Sequence, residues 1–121
     1  MGKFVIRKTA TGVKFDLRSG NGETIATSEV YETEAACRKG IESVRKNGAK
    51  AKLLDLTEES QPVSNPKFEL FQDKTGSFRF RLRARNGAVI AVSENYSTKT
   101  ACLGGIESVR SNALVAQIET K

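Results

Sequence analysis

This 121-residue chain contains no histidine and no tryptophan, and only two cysteines, two prolines and one methionine. The missing histidine removes the commonest general base near neutral pH and the commonest zinc ligand. Two cysteines are too few for a disulfide framework, so the expected compartment is a reducing cytoplasm. No apolar run approaches the roughly 20 residues that span a bilayer, and the opening MGKFVIRKTATG lacks the apolar core and cleavage site of a secretory signal. Ile6 also stands where a myristoylation pattern needs Ser or Thr. A membrane is therefore not an expected partner. What remains is 38% hydrophobic and 28% charged, the balance of an ordinary globular domain.

The net charge is +6 and the pI is near 9.6. Such an excess favours anionic partners only if it is concentrated on one face. Along the chain it is spread: residues 1–57 carry 11 Lys+Arg against 7 Asp+Glu, residues 58–66 carry two Glu, and residues 67–121 carry 9 against 5. There is no basic tail.

The hexapeptide GIESVR occurs twice, within CRKGIESVRKN (Cys37 to Asn47) and CLGGIESVRSN (Cys102 to Asn112). KFVIRKTATG likewise aligns with KFELFQDKTG at an offset of 64, which becomes 65 after one extra residue near Ser77. The chain is a tandem duplication. The first repeat is expected over residues 1–57 and the second over residues 67–121. Between them, residues 58–66 contain both prolines and little that packs, as an extended linker does.

Each repeat presents the same order of elements. Phe4 and Ile6 alternate with Val5 and Arg7, and Val13, Phe15 and Leu17 with Lys14, Asp16 and Arg18, which is the period of half-buried strands. Asn21-Gly22 and Asn86-Gly87 predict tight hairpin turns with positive φ at both central residues. TIATSE and VIAVSE supply third strands. Thr33 and Thr98 then predict helix N-caps. Ala36, Cys37, Gly40, Ile41 and Val44 fall on one apolar stripe, with Glu42, Ser43 and Arg45 facing outward. Gly40 and Gly105 lie on that stripe, where glycine costs about 1 kcal/mol relative to alanine, and close approach of helix to sheet is the simplest offset. The helices are expected to end at Asn47-Gly48 and at Asn112, in left-handed caps. AKAKLLDL and ALVAQIE give fourth strands. The order is β-β-β-α-β, twice, and a half of roughly 50 residues buries too little surface to be comfortable alone.

Few residues suggest chemistry. Cys37 and Cys102 lie on the buried helical stripe with no CxxC spacing and no histidine to activate them, which points to buried thiols. Glu58-Glu59 is an adjacent pair in a linker and cannot be held for acid–base work. Glu42 with Arg45, and Glu107 with Arg110, have the spacing of ordinary helical ion pairs. No catalytic residue, metal site or cofactor is expected, and an enzyme is the least supported class. FRFRLRAR, Phe78 to Arg85, is the feature that folding explains least. With Phe78, Phe80, Leu82 and Ala84 facing the core, Arg79, Arg81, Arg83 and Arg85 project from the opposite face, each roughly 7 Å from the next. That spacing suits the phosphates of a single nucleic-acid strand, and the alternative is a solvated face whose arginines pair with Glu69. The first repeat has Lys14, Asp16, Arg18 and Gly20 instead, a weaker array.

The FRFRLRARNG hairpin, the I-A-x-S-E strand and the GIESV helix resemble the YegP-like family of small bacterial proteins of unknown function, and the resemblance covers both repeats. It implies an α+β fold in which two β-β-β-α-β units exchange their last strands and form one antiparallel sheet against two helices, as a monomeric pseudo-dimer. It supplies no catalytic residue, cofactor or substrate. The expected function is non-enzymatic, a binding or interaction module, with a polyanion such as nucleic acid as the alternative partner on the Arg79 to Arg85 face.

Overall fold

A computed structural model describes residues 2–121. Strands β1 (Lys3–Lys8), β2 (Val13–Arg18) and β3 (Thr24–Thr27) are followed by helix α1 (Glu34–Lys50) and strand β4 (Lys52–Asp55). The second repeat has the same order: β5 (Lys67–Gln72), β6 (Phe78–Arg83), β7 (Val89–Ser93), α2 (Lys99–Ala113) and β8 (Gln117–Thr120). All eight strands form one sheet, in the order β4-β5-β6-β7-β3-β2-β1-β8. The last strand of each repeat lies beside the first strand of the other, β4 on β5 and β8 on β1.

Those two outer pairings are parallel, so the sheet is mixed and not wholly antiparallel. For β4 and β5 the connection is long enough to allow this. Antiparallel neighbours are joined by tight turns, whereas a parallel pair needs about a dozen residues to carry the chain back to the same end. Residues 56–66 do this between β4 and β5, and β8 is joined to β1 by no direct connection. The segment keeps hydrogen bonds of its own: Thr57 N and Ser60 Oγ both donate to Asp55, to Oδ1 and O respectively. Glu58 of this segment pairs with Lys99 at 3.4 Å.

One core lies between the sheet and both helices. Phe4 meets Phe15 edge to face at 5.6 Å, and Phe68 meets Phe80 in the same way at 5.9 Å. Ile41, Val44, Ile106 and Val109 close over them. Thr33 and Thr98 cap the helices, each accepting from a backbone N–H three residues on at 3.1 Å. The helix ends differ from expectation. Asn47 and Asn112 sit inside the last turns, where each side chain donates to the carbonyl four residues earlier at 2.8 Å, and no non-glycine residue among those described has positive φ. Bonding back to its own helix takes each Asn out of competition for a cap.

The hairpins differ as well. At Ser19–Glu23 and Ala84–Ala88 only Gly22 and Gly87 have positive φ, 86° and 87°, while both Asn residues stay right-handed. Gly22 N donates to Ser19 O and Ser19 N to Glu23 O, a type I turn closed by a glycine bulge, and the β2–β3 register shifts beside it. The extra residue near Ser77 builds the same turn between β5 and β6, with Gly76 at φ 89°.

Gly40 and Gly105 are needed for a reason other than bare helix–sheet contact. A Cβ at Gly40 would overlap the hydroxyl end of Tyr31, and one at Gly105 that of Tyr96. Tyr31 is stacked 6.4 Å from Phe15, and Tyr96 lies 6.4 Å from Phe80. Each tyrosine is therefore wedged between a helix glycine and a strand phenylalanine. Arg45 and Arg110 also do more than pair with Glu42 and Glu107, at 3.1 and 3.2 Å. Arg45 lies over the Phe4 ring and donates to Ala113 O of the other repeat at 3.0 Å, while Arg110 lies over Phe68 and reaches Gly48 O at 3.4 Å. Ser28 and Ser93, the serines of the SE dipeptides, donate to the carbonyls of Glu29 and Glu94 and accept from the N–H groups of Phe15 and Phe80.

Cys37 and Cys102 are free and fully buried. Burial pushes the Cys102 thiol up to about 11, with the charge of Asp55 adding to it, and burial raises Cys37 in the same direction. Both should react slowly with a thiol reagent in the native protein and fast once unfolded, and rapid native labelling would contradict this packing. Residues 1–57 expressed alone should dimerise or fail to fold, since β4 would lack β5; a monomeric, cooperatively folded fragment by sedimentation and urea denaturation would count against that dependence. Gly105→Ala should destabilise by about 1–3 kcal/mol although alanine is the better helix former, and adding Tyr96→Phe should restore part of the loss in urea titrations.

Candidate functional site

The face of the sheet opposite the helices is where the charged strand residues converge. The strand registers place one row across it: Glu119, Val5, Asp16, Thr27, Val92, Arg81, Glu69 and Leu54, running from β8 to β4. Side chains two residues away along each strand share this face. The first repeat contributes Lys3 and Arg7 on β1, Lys14 and Arg18 on β2, and Lys52 on β4. The second contributes Lys67 on β5 with Arg79, Arg81 and Arg83 on β6. Among the strand residues these nine cations face three carboxylates, Asp16, Glu69 and Glu119, an excess of six on one face. The charge that is spread evenly along the sequence is gathered in space.

Two of the carboxylates are buried within the array. Asp16, 5% exposed, accepts from Arg7 Nε at 2.8 Å and from the Thr27 hydroxyl at 2.8 Å, with Arg18 at 4.0 Å. Glu69, 7% exposed, accepts from both Arg81 Nε and Arg83 Nε at 2.6 Å through the same oxygen, Oε1. Lys67 is 3.9 Å from its other oxygen. Burial pushes the Glu69 carboxyl up, but the hydrogen bonds and charges of Arg81 and Arg83 outweigh it and hold the pKa below the ordinary carboxylate value.

The four arginines singled out in the sequence are not one comb. Arg81 and Arg83 share Glu69, and the Arg81 guanidinium lies over the Phe71 ring at 4.6 Å. Arg79 donates to the Ser93 carbonyl at 3.1 Å. Arg85 lies beyond the end of β6 and lines a cleft against α1. The strand periodicity identified three of the four correctly as neighbours on the open face. It overlooked Lys3, Arg7 and Lys67, whose place depends on which strands are adjacent. Among the described residues no group of three or more Cys, Asp or Glu side chains is placed to hold a metal ion. No helix of the described residues is long and apolar enough to cross a membrane.

The family described as "Domain of unknown function (DUF1508)" matches this chain twice, at residues 9–55 and again at residues 73–119. The chain belongs to this family. A UPF0339 protein YegP of Yersinia pestis is 37% identical over 120 residues, covering 98% of this chain and 95% of the relative. A UPF0339 protein of Treponema denticola is 64% identical over 47 residues, which is 39% of this chain but 81% of that protein, so the relative is little longer than one repeat. The solution structure of YegP from E. coli, a protein of unknown function, superimposes with a TM-score of 0.81 at 31% identity, covering 99% of this chain and 92% of that one. The double match and the two-helix, eight-stranded α+β fold agree with the tandem repeat and the family resemblance found in the sequence. The names of these relatives carry no activity.

The Glu69 carboxylate should leave a signature in acid. Its folded pKa is lowered, so its contribution to stability is complete above the unfolded value of about 4.3 and is lost as pH falls through the folded value. Glu69→Gln should cost about 1–3 kcal/mol at pH 7 and shrink the loss of stability below about pH 4, measured by urea denaturation across pH.

Proposed function

We propose that this protein is a non-enzymatic, cytoplasmic binding module whose partner is a polyanion, with single-stranded nucleic acid the best-fitting class. The observation that carries the reading is the excess of nine strand cations over three carboxylates on the open face of the sheet. A helix-free surface with cations on neighbouring strands suits a backbone of evenly spaced phosphates, and the Arg81 guanidinium stacked on Phe71 offers a planar cation to a base or phosphate. The buried carboxylates fix some of these arginines in place, so fewer than nine cations are free to meet phosphate. The sequence has no histidine, and both cysteines are buried with raised pKa, which favours binding over catalysis.

Counterion release makes such binding salt-dependent, with a slope of log affinity against log salt of up to roughly −0.7 per phosphate contact. Arg81 and Arg83 are unsuitable for the test, because removing them strands a buried carboxylate. Lys14→Ser with Arg79→Ser removes one cation from each repeat and leaves both carboxylates paired. Fluorescence-anisotropy titration of single-stranded oligonucleotides at two salt concentrations should show binding that weakens with salt, and a slope shallower by about 1 in the double variant. Absence of binding by the native protein at the lower salt would refute the reading.

A further inference from the structure

Comparison of the two repeats position by position exposes a second basic site, on the other side of the molecule's core from the sheet's open face. α1, the turn after β6 and the end of the linker enclose a cleft of about 660 Å³. That volume lies within the range of small-molecule sites, roughly 300–1,000 Å³. Lys39, Lys46 and Lys50 enter it from one stripe of α1, and Arg85 faces them from the turn. None of the four has a carboxylate or hydrogen-bond partner among the described residues. The single acid in the lining, Glu42, is held by Arg45 at 3.1 Å.

Folding does not require these charges, because the duplicate does without them. With the offset of 65, the places of Lys39, Lys46, Lys50 and Arg85 are taken by Gly104, Ser111, Val115 and Gly20. A smaller cleft of about 320 Å³ lies along α2, overlaps the counterpart positions at Ser19, Asn21, Gly104 and Ser108, and is lined by Glu23 but by no Lys or Arg. The scaffold of the cleft is nonetheless retained: Ser43 and Asn47 match Ser108 and Asn112, and each asparagine donates to its serine at 3.0 Å. Unpaired like charges one turn apart, as Lys46 and Lys50 are, disfavour a helix slightly. A helix dipole accounts for Lys50 in the last turn but not for Lys39 or Arg85.

We propose that the cleft between α1 and the Ala84–Asn86 turn binds a small ligand bearing two or more phosphate charges, such as a diphosphate or nucleoside diphosphate. The four cations spaced along the cleft offset the charge of such a ligand, Arg85 supplies a planar fork for phosphate oxygens, and Ala84 with Pro66 provides an apolar wall. The site is separate from the polyanion face and does not depend on it.

The test is a titration of the ¹⁵N-labelled full chain with pyrophosphate and with ADP at low salt, followed by amide chemical shifts. Shifts should concentrate in residues 39–50 and 84–87 and be small in residues 104–115. Lys46→Gln with Arg85→Gln should weaken both ligands about tenfold or more, with shifts elsewhere unchanged as evidence of an intact fold. Lys14→Ser with Arg79→Ser, on the open sheet face, should leave the affinity unaltered, which separates this site from the polyanion reading. Tighter binding of ADP than of pyrophosphate would show that the organic part also occupies the cleft. Absence of shifts at millimolar concentrations of both, equal shifts along α2, or undiminished affinity in the Lys46/Arg85 variant would overturn the proposal.

Discussion

Neither half of this molecule can complete its own sheet. β4 leaves the first repeat to lie on β5, and β8 returns to lie on β1, so each repeat's edge is covered by the other's last strand. Direct pairing at the centre is slight, with Ala26 opposite Ser93 and Thr27 opposite Val92. The reciprocal outer pairings, the shared core beneath the helices and the paired arginines therefore hold the halves together. Arg45 and Arg110 each bind a carbonyl near the end of the opposite helix, which satisfies groups that a helix terminus leaves free. Their guanidinium planes also cover the phenylalanines of the core.

The duplicated hexapeptide is explained by this arrangement. Glycine makes room for the wedged tyrosine, isoleucine and valine fill the core, and glutamate steadies the arginine that crosses to the other repeat. Every one of these roles is required in both halves. Charge outside the scaffold has been free to diverge. On the open sheet face the first repeat buries its acid on β2, under Arg7 and Arg18, while the second buries it on β5, under Arg81 and Arg83. Two solutions to the same problem leave both halves of the face basic. On the helical side the divergence is one-sided, with cations in one cleft and none in its counterpart.

Much of the local structure was legible because it depends on neighbours in sequence. Alternation in Phe78 to Arg83, the threonine caps and the helical stripe are short-range patterns, and all appear where the spacing places them. The misjudged details are those in which a distant group competes with a local preference. Asn47 prefers its own helix to a left-handed cap because the chain runs straight on into β4. Asn21 and Asn86 stay right-handed because the turn is set by the glycine that follows each. Gly40 and Gly105 were marked as costly from the sequence, but the tyrosines that require them come from the connection before the helix, nine residues earlier in each repeat.

The candidate sites show the same division. Sequence alone established the repeat, the order of elements, the scarcity of catalytic groups and the basic balance, since composition and periodicity are properties of the chain. It could not say that the strand cations of both repeats share one surface, because Lys3, Arg7 and Lys14 join the face of Arg79 to Arg83 only through pairing of β3 with β7. Nor could it place Arg85 and Lys46 in one cleft, since they are far apart in the chain and share it because α1 also packs against β5, β6 and β7 of the other repeat. Strand order and helix packing are decided by which surfaces bury the most apolar area together, and that is a property of the folded whole.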